Sequence, residues 1–148
     1  MSDAFHNVQT KLSAADAAKR VQDAVMKEKF GVIDVLNLKQ IMAGKGVAYD
    51  DEAIVISVCE PNFAKKFLSV EPTVASCLPC RISVTTKKGA TTVSVPLPTA
   101  SFALFKNPAL SKLAAETEAA LKRMVDACLL YTSPSPRDRT RSRMPSSA

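Results

Sequence analysis

Residues 52–86 constrain the fold of the chain most. They combine a strand without polar alternation and a cysteine at each of two strand ends. Residues 53–58 read AIVISV, a pattern typical of a strand inside a sheet with both faces covered. Cys59 ends that strand, and Pro61 suits the first turn of a helix, where its missing N–H costs nothing. Cys80 lies where the next strand begins. We therefore predict a strand–helix–strand unit with its two cysteines near one another.

Capping signals and periodicity place the remaining elements around this unit. Residues 5–10 suit a first strand, and Ser13 with Asp16 resembles a capping box at the start of an amphipathic helix. Residues 30–36 are rich in β-branched side chains and predict a strand. Asn37 then caps a short second helix.

A hairpin and a long helix complete the pattern. Residues 81–86 and 91–97 alternate between apolar and polar side chains, and residues 87–90 form the turn between them. Residues 99–106 predict a loop with apolar anchors, and Asn107-Pro108 starts a last helix. The order β-α-β-α-β-α-β-β-α predicts an α+β fold. We expect a two-layer sandwich in which helices cover a mixed or antiparallel sheet of about five strands.

Composition narrows the class of protein. Apolar residues make up 47% of the chain and charged residues 23%, as in soluble globular domains, and no apolar run of about 18 residues could span a membrane. No basic start followed by an apolar stretch marks a secretory signal, so we expect a cytoplasmic protein with reduced thiols. Aromatic residues, at 5%, are too few for a base-stacking platform. We predict no nucleic-acid partner, no membrane partner and no cofactor.

The last 21 residues differ abruptly from the rest. Residues 128–148 are rich in Ser, Pro and Arg and lack a helical or strand period, which predicts disorder. One interpretation is a basic, phosphorylatable or RNA-binding tail. The stretch also resembles the translation of a sequencing-library adapter, with two matching blocks separated by an index-sized gap. We favour the adapter, and so expect one native domain over residues 1–127.

Three motifs resemble the domain-of-unknown-function 302 (DUF302) family. They are KFGV at 29–32, ISVCEPNFA at 56–64 and LPCRISV at 78–84, and the resemblance extends from about Val8 to Ala127. Glu60 stands where the family has asparagine, and Cys77 lies outside the family pattern. The resemblance implies a compact α+β domain and a homodimer. It implies no reaction, because none is assigned to the family.

Cys59 is the first candidate for chemistry. A thiol between a strand end and a helix N-terminus can be stabilised as a thiolate by the helix dipole, with Lys65 or Arg81 adding to this if near. Buried free cysteine is also a common and inert core residue. Cys80, close to Cys59, would then form a reversible disulfide, share a metal, or simply pack.

Two further arrangements stay open. Cys77 and Cys80 form a C-x-x-C motif, the spacing of thiol-exchange sites, but the motif runs into a strand and Pro79 does not suit a helix. Zinc is a weaker possibility, with Cys59, Cys77 and Cys80 joined by the sole histidine, His6. We assign no metal, and expect His6 on the surface.

Two functions follow from these residues. The first is a ligand- or partner-binding module whose pocket lies near Cys59, Pro61 and Cys80, with a small molecule as the possible ligand. The alternative is a thiol-dependent redox or sulfur-handling protein with Cys59 as nucleophile and Cys80 as resolving thiol. No catalytic residue is assigned beyond these candidate thiols, and whether the protein is an enzyme stays open.

Overall fold

The computed structural model describes residues 4–131. The strands are β1 (Phe5–Thr10), β2 (Gly31–Asn37), β3 (Ala53–Cys59), β4 (Cys80–Lys87) and β5 (Ala90–Pro96). The helices are α1 (Ala14–Lys27), α2 (Leu38–Gly44), α3 (Pro61–Val70), the short α4 (Pro98–Ser101) and α5 (Pro108–Tyr131). Two 3-10 helices, Pro72–Cys77 and Phe102–Phe105, complete the described part of the chain.

The five strands form one antiparallel sheet in the order β1-β5-β4-β3-β2. Alternate residues of the three middle strands enter a hydrophobic core with α1 and the second half of α5. These residues include Ile56 on β3, Ile82 on β4 and Val93 on β5, and none of the three is exposed. The core therefore lies between the sheet and these two helices, as a two-layer sandwich requires.

Local signals in the sequence explain where α1 and α5 lie. The Ser13 hydroxyl accepts a hydrogen bond from the Asp16 N–H at 3.1 Å, which caps α1 as the capping signal predicts. At its other end, the Glu28 carboxylate accepts two bonds from the Arg123 guanidinium, at 2.8 and 2.9 Å. This fork joins the end of α1 to α5 and lowers the pKa of Glu28.

A second, smaller hydrophobic cluster lies beside the first. It consists of Phe67, Val74, Phe102, Leu110 and Ala114, from α3, both 3-10 helices and the first half of α5. Phe63 packs against both clusters. The second half of α5 therefore packs in the core under the sheet, and its first half packs in the smaller cluster.

The α+β sandwich predicted from the sequence is confirmed, with a sheet that is wholly antiparallel. Residues 98–105 form two helical turns where a loop was predicted, because Pro98 suits a first helical turn and Phe102 is buried in the smaller cluster. Strand β3 is interior, as predicted, yet only one of its faces enters the hydrophobic core.

Helix α5 continues through Tyr131, beyond the domain boundary predicted at Ala127. Cys128 is fully buried, and its thiol lies 3.8 Å from the Ala17 carbonyl oxygen. Cys128 follows Met124 and Leu121 at helical spacing, which extends the buried stripe of α5 by one turn. Residues 132–148 of the predicted tail lie outside the described residues, so the disorder and the origin of that stretch stay predictions.

Within residues 4–131, no helix is both long enough and apolar enough to cross a membrane.

The two-layer sandwich predicts that substitutions at neighbouring positions of β4 differ sharply in their effect on the free energy of unfolding. Ile82→Ala removes a fully buried side chain and should lower the free energy of unfolding by about 2–5 kcal/mol. Ser83→Ala, on the opposite side of the strand, should change it by less than about 0.5 kcal/mol. Urea denaturation of both variants measures the difference, and equal losses would contradict the assignment of faces.

Candidate functional site

The candidate site lies where the end of β3 meets the start of β4. Cys80 is the Cα partner of Val58, and Cys59 comes one residue later. After Cys59 the chain turns into α3, whose N-terminus is capped by Glu60: its carboxylate accepts a bond from the Phe63 N–H at 3.0 Å. The glutamate that replaces the expected asparagine thus serves as a helix cap.

A small cleft beside both thiols is almost filled. It is lined by Cys59, Cys80 and a set of mostly apolar neighbours: Phe30, Val58, Glu60, Phe63, Ala64, Phe67, Leu78, Pro79 and Thr117. Its volume is about 10 Å³, room for about one water molecule. The Thr117 hydroxyl is already bonded to the Leu113 carbonyl at 3.1 Å, so it offers no free donor to a ligand. This cleft does not accommodate a ligand larger than water.

A larger cleft opens on the other side of Cys80. Its volume is about 140 Å³. The walls come from the segment that leads into β4 and from the end of β5 with the turns after it: Cys77, Pro79, Cys80, Arg81, Pro96, Pro98, Ser101 and Phe102. Proline and phenylalanine rings supply apolar surface, while two thiols, one hydroxyl and one guanidinium supply polar groups. Cys80 is thus common to both clefts.

Burial keeps the two candidate thiols protonated. The pKa of Cys59 is raised, first by the loss of solvent around the thiol and second by the negative charge of Glu60. Burial, and secondly the charge of Cys59, raise the pKa of Cys80 to about 11. Neither Lys65 nor Arg81 is among the causes of the Cys59 shift. The thiolate stabilisation that the helix N-terminus predicts at Cys59 is outweighed by burial.

The strand register separates the two thiols. Cys80 shares a face with its partner Val58, in the core. Cys59 pairs with Gly31, one residue along, and therefore belongs to the opposite face of the sheet. A disulfide needs Cβ atoms that point towards each other. The register therefore disfavours a direct Cys59–Cys80 bridge, even though the two residues line one cleft.

The other residues predicted to take part in a site lie in separate parts of the fold. His6 lies on β1, where its Nε2 is 2.7 Å from a carboxylate oxygen of Asp126 on α5. Within residues 4–131, no three His, Cys, Asp or Glu side chains come together in a way that could hold a metal ion. Cys77 is half-buried and lines the larger cleft with Cys80. Pro61 begins α3 and lines neither cleft.

Sequence reasoning missed half of the residues that line the larger cleft. Pro96, Pro98, Ser101 and Phe102 come from a segment predicted to be an end of a strand and a loop. Phe102 also belongs to a chain of ring contacts, 4.9 Å from Phe67 between centroids in an edge-on arrangement. The proline spacing and the apolar FALF run were the available signals, but neither indicates that the segment folds back over β4.

A wide groove lies elsewhere, between α1 and the second half of α5. Its volume is about 920 Å³, and its walls combine charged side chains, among them Arg20, Asp23, Lys27 and Asp126, with apolar surface from Ala24, Met26, Ala127 and Leu129. Acidic and basic groups are mixed along it, and Glu28 and Arg123 are paired with each other. This open, charge-balanced surface lacks the convergent polar groups of a ligand site.

Comparisons with known proteins agree with the fold. The family model described as "Domain of unknown function DUF302" matches residues 6–128. A solved structure, the crystal structure of an uncharacterized conserved DUF302 protein from Bacillus stearothermophilus, is similar with a TM-score of 0.81 and 25% sequence identity. The match covers 86% of this chain and 99% of that chain. No curated protein matches. The chain therefore belongs to the DUF302 family, whose biochemical activity is not known.

Proposed function

We propose that the protein is a binding module for a small, largely apolar molecule about the size of a benzene ring. The ligand occupies the larger cleft, with Cys80 in its wall. The observation that carries this proposal is the open cleft of about 140 Å³ between the start of β4 and the turns after β5. An apolar protein cavity of about 150 Å³ is enough to bind benzene.

The walls of the cleft suit such a ligand. Pro79, Pro96 and Phe102 present flat apolar surfaces, and Phe102 is held in place because it is buried in the smaller cluster. The Ser101 hydroxyl and the Cys80 thiol supply hydrogen-bonding groups that can orient one polar substituent. Because the Cys80 thiol stays protonated at neutral pH, it acts as a weak donor in the wall.

Filling the cleft should weaken the binding of a probe of matching size. We expect 4-fluorophenol to bind the wild-type chain and Ser101→Leu to weaken that binding at least about tenfold, since the larger side chain occupies the volume. The measurement is ligand-observed ¹⁹F NMR during a titration with protein. The matched control is Ser111→Leu, an exposed serine outside the cleft, which should bind the probe like wild type.

Two results would contradict the proposal. Wild-type protein that leaves the ¹⁹F line width of 4-fluorophenol unchanged lacks a site of this class. Equal binding by Ser101→Leu and wild type, with both folded by circular dichroism, places the probe elsewhere.

A thiol-dependent function is the second candidate, supported by the presence of Cys59 and Cys80 in the lining of one cleft. In that case Cys59 is the nucleophile and Cys80 the resolving thiol, and both are half-buried. The raised pKa values and the strand register both weigh against this alternative. The ionisation of the thiols is therefore the property that separates the two functions.

Alkylation measures that ionisation. Only the thiolate reacts, and with a pKa of about 11 about one Cys80 thiol in a thousand is ionised at pH 8. The rate with iodoacetamide at Cys80 should therefore rise about tenfold per pH unit from pH 8 to 10 without levelling off. Peptide mapping by mass spectrometry assigns an alkylation rate to each cysteine. The control is an unstructured cysteine peptide, whose alkylation rate levels off at a lower pH. A plateau at Cys59 or Cys80 below pH 8 would favour the redox function.

A further inference from the structure

The polar side chains in the wall of the larger cleft are all hydrogen-bond donors. The Arg81 guanidinium can only donate, and the Ser101 hydroxyl and the thiols of Cys77 and Cys80 can each donate one bond. Among residues 4–131, those that line this cleft include no carboxylate. The wall therefore combines several donors with one positive charge, a set that suits a ligand with a negatively charged acceptor.

The two strongest of these donors are not used within the protein. In the part of the chain that the structure describes, the side chains of Arg81 and Ser101 form no hydrogen bond or ion pair. Arg123, by contrast, is held by Glu28 at 2.8 Å. Arg81 is exposed and Ser101 is half-buried, so both side chains can be reached from solvent. They are therefore available to a molecule that enters the cleft.

A carboxylate that contacts the same segment does not cancel the charge of Arg81. Glu118 on α5 accepts hydrogen bonds from the N–H and the hydroxyl of Thr99, at 3.1 and 2.6 Å. Its other carboxylate oxygen lies 3.6 Å from the Lys122 ammonium. The charge of Glu118 is thus balanced on α5, and its bonds to Thr99 fix the segment after β5 that forms one wall of the cleft.

We propose that the ligand of this cleft is a small aromatic carboxylate, with its ring against Pro96 and Phe102 and its carboxylate bound by Arg81. This inference rests on the proposed function, because the ligand occupies the same cleft. A volume of about 140 Å³ accommodates one ring. The open side of the cleft leaves the carboxylate in contact with the exposed guanidinium.

The chemistry of arginine favours a carboxylate over a larger anion. A guanidinium binds a carboxylate through two parallel N–H···O bonds, and the single positive charge of Arg81 balances its single negative charge. A phosphate group carries about two negative charges at neutral pH, only one of which Arg81 balances. The Ser101 hydroxyl can donate a further bond to the same carboxylate.

Two probes of equal size test the proposal on the full chain. 4-Fluorobenzoate and 4-fluorobenzamide have the same shape, but only the benzoate is charged at about pH 7. We expect wild type to bind the benzoate at least about fivefold more tightly, measured by ligand-observed ¹⁹F NMR at low ionic strength. Arg81→Gln should reduce this preference to less than about twofold, because the amide side chain keeps polarity and removes the charge.

The matched control is Lys87→Gln. Lys87 is an exposed residue at the other end of β4 and does not line the cleft. The substitution lowers the net charge of the chain by the same amount as Arg81→Gln, so it measures any general attraction of anions to a basic protein. We expect Lys87→Gln to keep the wild-type preference for the benzoate.

Three results would overturn the inference. Wild type that binds 4-fluorophenol but shows no preference for the benzoate keeps the proposed function and excludes the carboxylate class. Arg81→Gln that keeps the preference while folded by circular dichroism, or Lys87→Gln that loses it equally, excludes a specific contact with Arg81. Wild type that binds neither 4-fluorophenol nor 4-fluorobenzoate removes the proposed function and this inference together.

Discussion

The packing of Phe63 between two hydrophobic clusters is the contact on which the candidate site depends. One cluster lies under the sheet, and the other lies among α3, α5 and the turns before and after the hairpin. The starts of α3 and β4 lie along the boundary between them, and Phe63, from the first turn of α3, packs against both. Both clefts next to Cys80 lie along this boundary. A gap at such a boundary is expected, because rigid rings such as Pro79 and Phe102 cannot fill every space between two separately packed groups.

The same packing decides the chemistry of the cysteines. A strand end followed by a helix N-terminus favours a thiolate in isolation, but the aromatic wall around Cys59 and Cys80 removes the solvent that a thiolate needs. Glu60 adds a negative charge because its carboxylate caps α3 from a position next to Cys59. Neutral thiols behind apolar walls are poor nucleophiles, because the thiolate is the reactive form.

The sequence predicts the fold well and the site only in part. Alternation in residues 81–97 and the capping signals at Ser13 and Asn107-Pro108 depend on local interactions, and the structure contains the hairpin and both helices. Cys80 was singled out because it begins a strand. The side chains opposite it, from Pro96 to Phe102, meet it only through the way the chain folds back after β5, which no local spacing encodes. The one-residue offset between Cys59 and Cys80 is likewise a property of strand register.

The most direct measurement is the position of a bound probe on the protein. A ¹H–¹⁵N correlation titration of the full chain with 4-fluorophenol reports it residue by residue. Binding in the larger cleft predicts the largest amide shifts at Cys77, Cys80, Arg81 and Ser101, with small shifts along α1. Shifts concentrated at Arg20, Met26 and Arg123 would instead place the probe in the groove between α1 and α5, and would contradict a ligand site at the boundary of the two clusters.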